Sequence, residues 1–139
     1  RASLGLDYAF TEFTFAQIEY HYNGAGSKDP ADYIDLTGTQ PYQRGGVFLF
    51  GEQYLIPSVS VQLSPLWTLS ALGIMNLSDD SAFYALSAAF NVAENFYMDF
   101  GFYHFSGDDL DISPLGLPRL NSEYGASPDI FYTSLRYYF

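Results

Sequence analysis

The chain has 139 residues, enough for one domain, with a net charge of −11 from 16 acidic and 5 basic side chains and no cysteine. Disulfides, thiolate ligands and cysteine nucleophiles are excluded, and so few Lys and Arg argue against a nucleic-acid partner, whose phosphates require clustered positive charge. Aromatic residues make up 19% of the chain, mean hydropathy is −0.02, and no run approaches the roughly 18 consecutive apolar residues of a spanning helix.

Apolar and polar residues alternate with a period of two, which predicts strands. The first segment runs from Ser3 to Phe10, with Leu4, Leu6, Tyr8 and Phe10 on one face and Ser3, Gly5, Asp7 and Ala9 on the other. A tight turn at Thr11-Glu12 leads to a second segment from about Phe13 to Asn23. A long polar stretch from Gly24 to about Gly46 follows; Gly46 to Gln53 either extends a strand or forms a plug-like segment. The third strand ends near Leu63, and Pro57, which has no N–H to donate, predicts a bulge or an edge there. After Ser64-Pro65 come a fourth strand over about Leu66 to Leu77, an acidic loop at Ser78 to Asp80, and a fifth strand over Ala82 to Val92. Ala93-Glu94 turns into the sixth, Phe96 to Ser106; a second long loop spans Gly107 to Pro128, and the seventh strand is Asp129 to Phe139. Residues 1–20 lack a basic segment followed by an apolar run, so the chain reads as mature or truncated.

Three features give this pattern a direction. Every tight turn falls on one end of the sheet, and both long loops and the acidic one fall on the other, as in transmembrane barrels with short periplasmic turns and long outer loops. The aromatic residues Phe10, Trp67, Phe90, Phe96, Tyr137 and Phe139 lie at strand ends on the apolar face at the tight-turn end, where an interfacial girdle belongs. Phe139 is terminal, and Phe131, Thr133, Leu135 and Tyr137 share its face. This last segment resembles the terminal strand of bacterial outer-membrane β-barrels. The resemblance is close over the last eleven residues and is one of pattern elsewhere. Tyr22-Asn23-Gly24 before a long loop and Ser122 to Gly125 before the last strand are similar to porin-like families. The resemblance implies an all-β, antiparallel, up-and-down transmembrane barrel in the Gram-negative outer membrane, with about seven or eight strands here. It implies recognition of the last strand by the barrel-assembly machinery, contact with outer-membrane lipid, and either a homo-oligomer or a complex with other envelope proteins. Seven is odd, whereas bacterial single-chain barrels have even counts, so either a strand is missing or the chain is one arc of a larger barrel.

With Phe139 toward lipid, Asp7, Glu19, His21, Asp99 and Arg136 point into the lumen, which is polar and net acidic. Such a lining is either a filled salt-bridge network, if about eight strands close, or a cation-favouring channel, if the barrel is wider. The expected function is passive diffusion of small solutes or ions. The alternative is a non-conducting structural or surface-binding barrel with acidic outer loops. No enzyme, cofactor or metal site is expected: Asp108 to Asp111 lacks the spacing of a calcium loop. His104-Phe105-Ser106 with Glu123 faintly resembles the His-x-Ser…Glu arrangement of outer-membrane lipid A deacylases. The neighbouring residues of that family are not evident, however, and a strand-end histidine is the plainer account.

Overall fold

The computed structural model describes residues 1–113, 116 and 118–139. Seven antiparallel strands form one sheet in the order β1-β2-β3-β4-β5-β6-β9. They are β1 (Ala2–Thr11), β2 (Thr14–Tyr22), β3 (Gln53–Ser64), β4 (Trp67–Asn76), β5 (Ser81–Ala93), β6 (Phe96–Ser106) and β9 (Ile130–Tyr137). The first long loop carries a 3-10 turn at Pro30–Asp32 and two single-turn helices, α1 (Tyr33–Leu36) and α2 (Gln40–Gln43). The second carries a two-residue hairpin of β7 (Asp111–Ile112) and β8 (Pro118–Arg119), and its positions 114, 115 and 117 lie outside the described residues.

Each strand neighbours its predecessor in sequence, so the sheet is an up-and-down meander whose tight hairpins share one end. All three of these hairpins shift register beside the turn, between Ala9 and Thr11, Gln62 and Ser64, and Asn91 and Ala93. A bulge there adds local twist without disturbing the pairing beyond it. Hydroxyls brace two of the turns: Thr11 Oγ1 accepts from the Phe13 N–H at 3.1 Å and Ser64 Oγ from the Leu66 N–H at 3.3 Å.

The register gives the sheet two unlike faces. Leu6 sits opposite Ile18, Ile18 opposite Pro57, Val59 opposite Ala71, Ala71 opposite Leu86, Leu86 opposite Phe102 and Phe102 opposite Phe131. This face is continuous across all seven strands, and within their spans no Asp, Glu, Lys or Arg stands on it; Asp129, just before β9, meets His104 at its long-loop edge. No second layer covers it: Leu4 is 73% exposed, Leu6 72% and Phe131 79%. The opposite face mixes Ser, Thr, Tyr and charged side chains with some apolar ones. The buried residues gather instead at the long-loop end: Tyr33, Val47, Tyr54 and Ala82, with the polar Asn23, Asn76, Ser81 and Ser122.

The all-β, antiparallel, seven-strand sheet is as expected; the reading of Pro57 is corrected, and two points that the sequence leaves open are decided. The sheet is open rather than a closed barrel, with β1 and β9 as free edges. Seven alternating strands leave both edges running the same way, so they cannot join as an antiparallel pair. Pro57 lies neither at a bulge nor on an edge. It sits in central β3 opposite Gly73, where an added Cβ would lie 3.3 Å from the proline ring, and the ladder to β4 skips Ile56 and Pro57. Glycine makes room for the ring, and the ladder is interrupted where proline has no N–H to donate. Residues 46–52 do not extend β3; they run irregularly and touch the first loop through a parallel bridge between Ser27 and Gly51.

Candidate functional site

The polar face is recessed in its middle because its residues there are small. Two adjoining hollows of about 400 and 410 Å³ share Ser70, Ser87 and Tyr132. The floor includes Ala85 and Ala89. Tyr132 lies so close over Gly101 that a Cβ would stand 1.9 Å from its ring, so only glycine fits beneath it.

The five residues expected to line a lumen all lie on this face. Arg136 Nη2 donates to Asp99 Oδ1 at 2.9 Å and lies 2.7 Å from Oδ2. Glu19 and His21 come together at 3.8 Å, and His21 Nδ1 shares a hydrogen bond of 2.8 Å with Ser3 Oγ. Asp7 stands across from Gln17, without an ion pair among the described residues. The face therefore has an acidic sector on β1 and β2 and a neutralised sector on β6 and β9.

At the long-loop end three loops fold onto the polar face and bolt together. Glu123, from the second long loop, accepts from the Phe50 N–H at 3.1 Å, the Tyr54 hydroxyl and Asn76 Nδ2 at 2.8 Å. Asp79, from the short acidic loop, accepts from the Tyr33 hydroxyl at 3.0 Å, the Glu123 N–H at 2.8 Å and the Ser81 hydroxyl at 2.6 Å. Asn76 Nδ2 also donates to the Tyr33 hydroxyl at 3.1 Å. The Phe50 ring is stacked between Tyr33 at 5.6 Å and Tyr42 at 5.7 Å. Asn23 ties the loop's ends together, donating from Nδ2 to the Leu49 carbonyl at 2.8 Å and to that of Gly51 at 3.2 Å. Gly51 is obligatory, since a Cβ would lie 2.3 Å from Asn76 Oδ1.

No basic side chain forms an ion pair with either carboxylate of this cap among the described residues. Burial raises the Glu123 pKa above its ordinary value, and nearby Asp79 adds to the rise, against the lowering by its own hydrogen bonds. Burial likewise raises the hydroxyls of Tyr33 and Tyr124, so both stay protonated as neutral groups. The cap is thus built from neutral phenols and amides donating to two acids.

The six girdle candidates lie on the apolar face at the tight-turn end. Trp67 stacks on Phe90 at 4.3 Å, Phe96 pairs with Tyr137, and Tyr137 stacks on Phe139 at 6.4 Å; Phe10 packs edge-on against Tyr8 at 5.0 Å. His104 also lies on the apolar face, between Tyr84 and Phe102, with Nδ1 2.9 Å from Asp129. Its carboxylate partner is therefore Asp129, while Glu123 is committed to the cap, so the His-x-Ser…Glu arrangement is not assembled. In the second long loop, Asn121 Nδ2 engages Asp111 at 2.8 Å.

Sequence reasoning missed the cap. Tyr33, Tyr54, Asn76 and Asp79 read in the sequence as ordinary strand-end and loop residues, and Glu123 only as a faint partner for His104 and Ser106. The available signals were Asn23 in Tyr22-Asn23-Gly24 and the pair Ser122-Glu123 before Tyr124-Gly125, polar side chains that prove to be packed inside the loops. No family model matches the chain, and no curated protein or solved structure matches it.

Proposed function

We propose that this chain is a sector of an outer-membrane β-barrel whose apolar face meets lipid and whose polar face lines a water-filled passage for small solutes or ions. The observation that carries this is the seven-strand apolar face, free of Asp, Glu, Lys and Arg within its strand spans and covered by no other layer among the described residues. In water, so large an exposed apolar surface requires a covering, and hydrocarbon supplies one at no cost to the backbone of paired strands. Among the described residues no helix is long and apolar enough to cross a membrane, so strands are the spanning elements in this reading.

The free edges bear on width. Hydrocarbon cannot satisfy the unpaired N–H and C=O groups of β1 and β9, so the sheet must continue. Because the two edges run in the same direction, an all-antiparallel barrel is completed by an odd number of further strands. That makes the whole even and eight strands at the least; the channel reading takes a wider barrel, since at eight the lumen is filled by side chains. The tight hairpins then face the periplasm and the cap stands at the outer mouth. The last strand serves as the signal for the assembly machinery, and the protein works alone or in an oligomer or envelope complex.

Reconstitution of the intact protein into planar bilayers tests the channel. Stepwise ion conductance is expected, with cation preference reduced by Glu19→Gln and by Asp7→Asn. A flat trace at all voltages contradicts it. A second reading is favoured by the cap, whose three bolted loops cover one end of the polar face: a non-conducting barrel that binds through its acidic outer surface. It predicts no conductance, together with ligand binding that is lost when the loop over 24–46 is shortened.

A further inference from the structure

We infer that the recess in the middle of the polar face is a binding site for a neutral saccharide. The inference rests on the channel reading and names the class of solute that the channel would favour.

Charge argues first. Among the described residues Asp99 and Arg136 are the only charged side chains on the walls of the two hollows, and they neutralise each other. The acids Asp7 and Glu19 stand apart on β1 and β2. An ion entering this recess would leave water without meeting a net counter-charge or an array of carbonyls, the devices that filters use. A neutral solute pays no such penalty.

The hydroxyls argue second. Ser58, Thr68, Ser87 and Ser134 border the hollows and make no side-chain hydrogen bond among the described residues, while Ser70 donates weakly to Ser60 at 3.3 Å. Each free hydroxyl can both donate and accept, which matches the hydroxyl groups of a sugar. Tyr132 borders both hollows and is held over Gly101, with its ring 5.4 Å from that of Tyr103. Its ring offers a fixed apolar platform beside a ring of polar groups. A pyranose has the complementary form, one C–H face and a rim of hydroxyls. The paired Asp99 carboxylate and Arg136 guanidinium add an acceptor and donors at one end, where charge-assisted bonds to neighbouring sugar hydroxyls are strong. The volumes lie within the usual range of small-molecule sites, about 300–1,000 Å³.

Cellobiose, neutral and flat-faced, is the probe. The intact protein is placed in planar bilayers in potassium chloride, and cellobiose is added to one side. The same protein in detergent is titrated with cellobiose by calorimetry. A saturable fall in conductance and measurable heat of binding are expected. Tyr132→Ala should weaken both by about tenfold, the value of an aromatic platform, while Tyr132→Phe retains most of the affinity. Should Tyr132→Ala fail to fold, Ser87→Leu, which fills the recess from β5, must abolish the block on its own. Conductance that cellobiose leaves unchanged, with no heat of binding, overturns the saccharide site while the channel stands. Binding heat without conductance removes the channel and keeps the site, and absence of both removes both.

Discussion

At the scale of single residues, the structure turns on a few places where only one side chain fits. Gly101 is one. Valine there would collide with Tyr132 and Ile or Leu would do so further, whereas an added Cβ at Gly5 would meet its nearest neighbour at an ordinary 3.6 Å. Gly101→Val is therefore expected to destabilise the fold by about 1–3 kcal/mol, and Gly5→Ala by less than about 0.5 kcal/mol, in urea titrations of the protein in lipid vesicles. Equal effects would contradict the account of Tyr132. Glu123 is another such place. Alanine there strands the Phe50 N–H, the Tyr54 hydroxyl and the Asn76 amide, and a buried donor without a partner costs about 1–3 kcal/mol. Limited proteolysis should find the loop over 24–52 cut sooner in Glu123→Ala, with Glu123→Gln intermediate because it keeps one acceptor. Unchanged cutting would show that the three loops are held by something else.

At the scale of elements, the hairpins and the cap behave differently, and they were differently legible. Each strand can be read from its own period-two pattern, and each tight turn from the residues that flank it, because a hairpin is a local object. The cap joins Tyr54 to Glu123 across 69 positions and Tyr33 to Asp79 across 46. No local pattern encodes such pairings, so the sequence showed two long polar loops and not their common anchor. Pro57 taught the same lesson in the sheet: its tolerance depends on Gly73, a residue of the next strand. The cap also carries a pH dependence. The Glu123 pKa is raised in the folded cap, above all by burial, so the folded state holds that proton more tightly than the unfolded loop does. The stabilisation is complete below the ordinary carboxyl value and is lost as pH rises through the raised one. The groups facing Glu123 are Asp79, Tyr33, Tyr42, Tyr54 and Tyr124; burial holds the loop phenols Tyr33, Tyr42 and Tyr124 neutral, and the Asp79 charge adds to the rise. Hydrogen exchange of the Phe50 amide should thus be slower at about pH 5 than expected from the intrinsic rate change relative to about pH 8, and Glu123→Gln should remove the excess. An excess of the opposite sign would contradict the burial argument.

At the scale of the whole molecule, the account stands on the two faces of one sheet. Leu69 and Ser70 are sequence neighbours in β4, yet Leu69 stands opposite Val61 and Ala88 on the apolar face while Ser70 looks into the recess. Leu69→Arg should cost about 2–4 kcal/mol of folding into vesicles if that face meets hydrocarbon, and Ser70→Arg far less. The sequence carried this division plainly, since alternation fixes which residues share a face; what it could not carry was closure, which depends on strand number. The absence of cysteine permits the most direct test of the central claim, single-cysteine scanning of β4 to β6 in proteoliposomes with a water-soluble, membrane-impermeant thiol reagent. The account predicts labelling that alternates with a period of two, strong at Ser70→Cys, Ser87→Cys and Ala89→Cys and absent at Leu69→Cys, Leu86→Cys and Phe100→Cys. Equal labelling of both series would mean that the apolar face also meets water, and the membrane reading would fall.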